Sequence, residues 1–334
     1  WFTDYLPDLN YSNQQALKTV IDHAIWLIQE YDIDGFRLDA IKHMVMGFTT
    51  TLRERIQNEV VTTGIPFYMV GETFTGAEEY DTIGMFLGSD KLDGQFDFPM
   101  FYNISWTFLL RTKSMSDFKG FAEYNDTRYQ NGYWSGAIMS TFMGNHDIAR
   151  VISVANGDFD GSPQGGDIAH QKAWENSPVD PTNDSPYAKL RMAQTFLLTS
   201  PGLPLIYQGD EFGLAGAHDP DNRRMMKFES QLNSYQTATL NHVKKLGTFR
   251  NKHESIRKGT RTTCSVGTDF WVYKMTYGND VVIVGLNRSN AEVESTCTGI
   301  TGTYEDAFSS QQNSTFNGTI YVPANGFAVL GKVN

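Results

Sequence analysis

The chain has 334 residues, 40% hydrophobic and 19% charged, with a net charge of −11 and a pI near 5.1. That length holds one large domain or two with a real core. The acidic balance argues against a nucleic-acid or anionic-membrane partner, since both ask for a basic face. A neutral ligand fits better, and the 16 Tyr and 6 Trp supply stacking platforms for sugars as readily as ordinary core.

Residues 1–12 read as an irregular entry segment, with Leu6-Pro7-Asp8-Leu9-Asn10 extended. Ser12 with Gln15 three residues on resembles a capping box. Leu17, Val20, Ile21, Ala24, Ile25 and Ile28 then recur at helical spacing, which predicts an amphipathic helix over 13–30. Residues 33–39 alternate as a strand, so Arg37 and Asp39 share one face while Phe36 and Leu38 take the other. A guanidinium beside a carboxylate holds it ionised. Asp39, followed by Lys42 and His43 on the next loop, therefore looks like a nucleophile with substrate contacts beside it, although one Arg–Asp pair at a strand end is by itself better read as structural.

A helix over 48–63 closes at Gly64 and Pro66, and the apolar strand 67–72 ends in Glu72. Nearly all-apolar strands belong to parallel sheets buried on both faces. The rhythm repeats with a loop and helix at 75–90, a weaker strand at 94–98, a helical region at 101–124 and a buried strand from Ala137 to Asn145 that runs into His146-Asp147. A Gly/Asp/Pro/Asn-rich loop, 154–186, is long enough to be functional or mobile. It precedes a helix at 187–199, a strand at 202–208 whose loop carries Asp210, Glu211, Asp219 and Arg223, and a helix at 234–251.

Strand–helix alternation means a parallel α/β sheet. Asp39, Glu72, Asp147 and Asp210 all stand at carboxyl ends of strands, the face on which (β/α)8 TIM barrels build active sites, so a barrel is expected. Beyond it, short alternating segments such as Phe270-Trp271-Val272-Tyr273-Lys274, separated by turns such as Tyr277-Gly278-Asn279-Asp280, predict a C-terminal antiparallel β-sandwich. The expected division is an entry segment at 1–12, a barrel portion at 13–255 and a sandwich at 256–334. Five strands are counted where a closed barrel needs eight. The missing three are expected from a preceding segment of the same enzyme, possibly a separate chain, and the start Trp-Phe-Thr-Asp lacks an initiator Met. No apolar run reaches membrane-spanning length. Cys264 and Cys297 are compatible with a disulfide in an exported protein and equally with two buried thiols.

Three stretches then carry a resemblance. Gly35-Phe36-Arg37-Leu38-Asp39-Ala40-Ile41-Lys42-His43, Gly71-Glu72-Thr73-Phe74 and Phe142-Met143-Gly144-Asn145-His146-Asp147 resemble, in order, three signature regions of the α-amylase family, glycoside hydrolase family 13. Leu6-Pro7-Asp8-Leu9-Asn10 is similar to a further signature near the end of that family's protruding second domain, and Asp219-Pro220-Asp221-Asn222-Arg223 to its substrate-binding loop after the eighth strand. The resemblance implies barrel strands four to eight and a C-terminal sandwich. It implies Asp39 as nucleophile, Glu72 as general acid/base and Asp147 as transition-state stabiliser, with His146 donating to the same sugar.

Retaining hydrolysis uses two carboxyl groups roughly 5–5.5 Å apart, one ionised and one carrying a proton. Glu72, after an apolar strand and near two anions, is expected to have the raised pKa. The resemblance further makes Lys42 and His43 contacts on the leaving-group side and Asp219 and Arg223 a grip on the non-reducing side. It implies a structural calcium held by the Asp8 side chain and the His43 carbonyl, hard oxygen donors that suit that ion, and a secreted or periplasmic enzyme of α-glucans. Hydrolysis of α-1,4-glucosidic bonds leads; a glucanotransferase using the same residues is the alternative, and a non-catalytic relative fits less well because all three carboxylates are present.

Overall fold

Asn13 rather than Ser12 caps the first helix, α1 (Gln14–Tyr31): its side chain accepts from the Gln15 and Ala16 amides at 3.0 and 3.2 Å. Those bonds satisfy orphan donors of the first turn. Ser12 belongs to the preceding turn, where its own amide donates to Asn10. The computed structural model describes residues 4–130, 132, 134–309 and 314–333. It divides into two compact units, Trp1–Pro99 with Thr127–Ser140, and Met100–Asp126 with Thr141–Asn334.

In the first unit, β1 (Gly35–Leu38), α2 (Met46–Glu59), β2 (Tyr68–Gly71), α3 (Tyr80–Gly84) and β3 (Gly94–Gln95) follow α1. The strands form a parallel sheet in the order β1-β2-β3, with Arg37 opposite Val70 and Val70 opposite Gly94. Ile21, Ile25 and Ile28 of α1 pack in one core with Leu52 and Ile56 of α2 and Met69 of β2, and Phe36 and Leu38 lie against it. Each fully buried Ile or Leu contributes about 1.5–3 kcal/mol of gross stabilisation. The alternation is thus realised: β1 sends its apolar residues to the core and Arg37 away from it. Within the loop and helix expected over 75–90 the helix is α3, and residues 86–92 then fold back on themselves, with the Leu92 amide donating to the Phe86 carbonyl.

The strand expected over 137–145 makes single parallel bridges: Ser140 with Phe96 in the first unit, Phe142 with Leu205 in the second. The latter is also the only ladder contact of the expected strand 202–208 among the described residues, and its Pro204 has no N–H to offer a neighbour.

The helical region expected over 101–124 breaks into α4 (Phe98–Ile104), a wide turn at Ser105–Leu109, and α5 (Met115–Tyr129). Arg288 explains the break by taking the Thr107 and Lys113 carbonyls at 2.7 and 2.9 Å, carbonyls that a continuous helix would use itself. The predicted loop 154–186 is partly helical, with α6 (Val151–Asn156) at its start and α7 (Gly166–Lys172) inside it. Then come α8 (Asp184–Leu198), α9 (Ser234–Lys252), capped reciprocally by Asn233 and Gln236, and α10 (Ser255–Lys258).

The C-terminal strands are β4 (Thr260–Val266), β5 (Phe270–Tyr277), β6 (Asp280–Asn287), β7 (Val293–Thr296), β8 (Gly302–Asp306), β9 (Ser314–Phe316), β10 (Thr319–Val322) and β11 (Gly326–Lys332). They form a six-stranded antiparallel sheet, β4-β5-β6-β11-β8-β9, and a two-stranded ribbon, β10-β7. Alternation along β5 sends Trp271, Tyr273 and Met275 into a core with Phe118 of α5 and Phe196 of α8, while Val272 joins Ile320 and Val322 of the ribbon. Cys264 and Cys297 are joined as a disulfide. No helix among the described residues is long and apolar enough to cross a membrane.

Candidate active site

In the first unit the chain leaves β1 through Asp39 and turns at Ala40, whose φ of 43° is left-handed. Parallel pairing continues past the strand ends, because the Glu72 amide donates to Leu38 and the Ile41 amide to the Glu72 carbonyl, both at 2.9 Å. Those two bonds lock the carboxyl end of β1 against that of β2. The guanidinium of Arg37 donates from one arm to Asp39, and its other arm lies 3.0 Å from Glu72.

The two carboxylates differ in setting: the Asp39 side chain is 73% exposed and that of Glu72 is 7% exposed. Beside Glu72, Thr73 donates to Gln95 at 2.6 Å, and Gln95 donates to the Ile83 carbonyl, so the segment rests on a buried polar chain. Lys42 donates to the Phe74 carbonyl at 2.5 Å, tying the loop after β1 to the segment after Glu72. His43 closes the same short turn, its amide donating to Ala40.

In the second unit Asn145, His146 and Asp147 follow Gly144, with the Asp147 amide held by the Asn145 side chain at 2.8 Å. His146 Nε2 lies 3.3 Å from one Asp147 oxygen and Arg223 Nη2 lies 3.6 Å from the other. Arg223 Nε is also 2.7 Å from Asp219, so the expected non-reducing-side grip and the expected stabiliser share one guanidinium. Asn222, fully buried, donates to the carbonyls of both His146 and Ile148 at 2.8 Å and clamps the two loops together.

Beneath these loops Arg150 lies 3.3 Å from Asp210 and donates to the Gln208 carbonyl at 2.6 Å, its guanidinium 4.2 Å from the centre of the Tyr207 ring. Burial pushes the Asp210 carboxyl up to about 7, against the pull of Arg150. Gly144 is required here, since a Cβ on it would meet an Asp210 oxygen at 2.3 Å. His218 stacks on His170 of α7 with ring centres 3.7 Å apart, and burial first, then His170, hold its pKa below the ordinary value against the opposing pull of Asp219 and Asp147.

The structure therefore gathers Arg37, Asp39 and Glu72 in one unit, and His146, Asp147, Asp219 and Arg223 in the other. Sequence reasoning missed Asn222, Arg150, His170 and His218. Asn222 stood inside a quoted motif, while Arg150 lay three residues past Asp147 with nothing in its spacing to mark a partner sixty residues away. Among the described residues no group of three or more His, Cys, Asp and Glu could hold a metal ion. The two donors expected for a calcium, Asp8 and the His43 carbonyl, fall short of the roughly six to eight oxygens that ion takes, and no chemical step is routed through it.

A model of the α-amylase catalytic domain matches residues 1–246. Over 284 residues the chain is 30% identical to the β/α-amylase of Paenibacillus polymyxa, covering 85% of this chain and 20% of that protein. Over 328 residues it is 30% identical to the cyclomaltodextrin glucanotransferase of Bacillus sp. strain 1-1, covering 96% and 40%. It therefore spans well under half the length of these curated relatives. The solved structure of an Anoxybacillus α-amylase superposes with a TM-score of 0.76 at 24% identity, over 98% of this chain and 66% of that one. That likeness bears on the fold, a TIM-barrel type followed by C-terminal β-sheets. With the catalytic-domain match running through both groups of polar residues, the chain belongs to the α-amylase family.

Proposed function

We propose that the protein is a retaining glycoside hydrolase that cleaves the α-1,4-glucosidic bonds of starch and maltooligosaccharides by double displacement. Asp39 attacks the anomeric carbon and forms a glycosyl ester as the bond to the leaving oxygen breaks. Glu72 gives that oxygen its proton, then takes one from the water that hydrolyses the ester. Asp147 favours the positive charge developing on the sugar, with His146 donating to the same ring. Lys42 and His43 hold the leaving-group side, and Asp219 and Arg223 hold the non-reducing side.

The observation that carries this reading is the pair of carboxylates on one guanidinium. Asp39 is exposed toward solvent, where a sugar would meet it, and the buried Glu72 is screened from water as a proton carrier should be. Support also comes from the α-amylase family match and from the β/α-amylase among the relatives. The cyclomaltodextrin glucanotransferase at the same identity favours a second reading, transfer to a sugar acceptor in place of water.

The same proposal includes three barrel strands supplied by a preceding segment of the enzyme, a structural calcium with further ligands from that segment, and export from the cytoplasm. The disulfide supports export, since such bridges persist in oxidising compartments. Chelation should then lower the melting temperature of the enzyme that carries this chain.

The deciding experiment is Glu72→Gln, expected to lower kcat by about 100- to 10,000-fold while maltoheptaose still binds. Retained turnover would show Glu72 misassigned. Products from maltoheptaose separate the two readings: shorter linear sugars mean hydrolysis, and cyclic or longer ones mean transfer.

A further inference from the structure

His170 and His218 have no part in the chemistry above, yet they join two loops that sequence reading treated separately. His170 lies on α7, inside the long segment between Asp147 and α8; His218 opens the loop that carries Asp219 and Arg223. Their rings stack at 3.7 Å between centres with planes 30° apart. The His218 amide donates to the Ala169 carbonyl at 3.2 Å, so backbone as well as side chain docks this loop on α7. The helix is itself anchored, with Lys172 donating to the Asp158 carbonyl at 2.7 Å. Farther along, Arg224 donates to the Pro178 carbonyl at 2.8 Å and Asp180 accepts the Ala215 amide at 3.1 Å.

One bond turns this docking toward the grip. The Asp219 amide donates to His218 Nδ1 at 2.9 Å, so that nitrogen is an acceptor and the ring is neutral with its proton on Nε2. Asp219 in turn lies 2.7 Å from Arg223, which reaches Asp147 at 3.6 Å.

We propose that the His170–His218 stack is a brace that positions Asp219, and through it Arg223, for the sugar on the non-reducing side, and that a proton taken up by His218 releases it. The inference rests on the functional reading above and extends it to two positioning residues. A proton on His218 Nδ1 converts an acceptor into a donor aimed at the Asp219 N–H, and the bond is lost. The charged and titratable groups that act on His218 are His170 from α7, Asp219 on its own loop, and Asp147 from the loop after Gly144. The carboxylates invite the proton, while burial and His170 oppose it, and burial is the largest effect. Release therefore belongs to acid pH, below the ordinary histidine range.

The test uses the intact enzyme that carries this chain, with maltoheptaose as substrate from about pH 5 to 8. Wild type should show KM rising about 3- to 10-fold on acidification, the scale of one or two lost hydrogen bonds. His170→Ala should raise KM by a similar factor already at neutral pH, with kcat within about twofold. His170→Phe keeps a stacking face and leaves His218 as the titrating ring; it should rescue the neutral KM and move the acid rise to higher pH, because His170 no longer opposes the proton on His218. A KM indifferent to His170→Ala, or an acid rise that stays at the same pH in His170→Phe, overturns the brace. Histidine and amide NMR on the same proteins gives a reading independent of substrate: the Asp219 amide should track the titration of His218. If wild type cleaves no α-glucan, the functional reading has failed, and the brace stands or falls on whether that amide follows His218.

Discussion

Arg37 lies 3.0 Å from Glu72, so the guanidinium expected to serve Asp39 alone serves both carboxylates. One planar fork thereby fixes the orientation of two acids on neighbouring strands. Lys keeps the charge but is a point donor on a flexible stem. Arg37→Lys is therefore expected to lower kcat by roughly 10- to 100-fold through lost alignment, with KM little changed. Steady-state kinetics on maltoheptaose checks it; an unchanged kcat would mean that the shared contact does not align the pair.

Asp210 gives a pH dependence with a definite sign. Its folded pKa is raised from an ordinary carboxylate value to about 7, chiefly by burial. The folded state thus holds a proton that the unfolded chain has released. The stability it contributes is full below about pH 4 and is lost as pH rises through 7. Asp210→Asn removes this dependence while keeping an oxygen for Arg150. Relative to wild type, the variant should gain stability between pH 5 and pH 8, read as the difference in melting temperature at the two values. A difference that does not change with pH would place the Asp210 proton elsewhere.

Asn222 is the clamp between the Asp147 loop and the Arg223 loop. Asn222→Ala leaves two carbonyls without their donor at a buried site, a loss of about 1–3 kcal/mol. Urea unfolding should show that loss, and KM should rise because Asp219 and Arg223 are carried on the freed loop. Full stability in the variant would show that other donors take over.

The bridge between Cys264 and Cys297 closes a loop of 33 residues in sequence separation. Chain-entropy reasoning gives such a loop about 3–4 kcal/mol of stabilisation. The double variant Cys264→Ser/Cys297→Ser should melt several degrees lower than wild type, and reductant should lower wild type alike. Thermal unfolding with and without reductant decides the matter.

What the sequence determined by itself was local and periodic. Alternation through Phe36, Arg37 and Leu38 told which residues face the core, and helical spacing from Leu17 to Ile28 located α1 to within a residue, because both patterns record one element against one core. The motifs around Asp39, Glu72 and Asp147 pointed to the family for a similar reason: each is a short contiguous run at a strand end. Element ends were less legible. Asn13 took the cap expected of Ser12, and the helix expected over 101–124 broke because Arg288, distant in the chain, competes for its carbonyls. Only the tertiary structure decided partners: Glu72 for Arg37, Asp210 for Arg150, two backbone carbonyls for Asn222, and His218 for His170. A spacing pattern says which side of an element a residue occupies. Which distant group meets it there depends on how elements pack, and that is set by the summed burial of many apolar side chains rather than by any short run of residues.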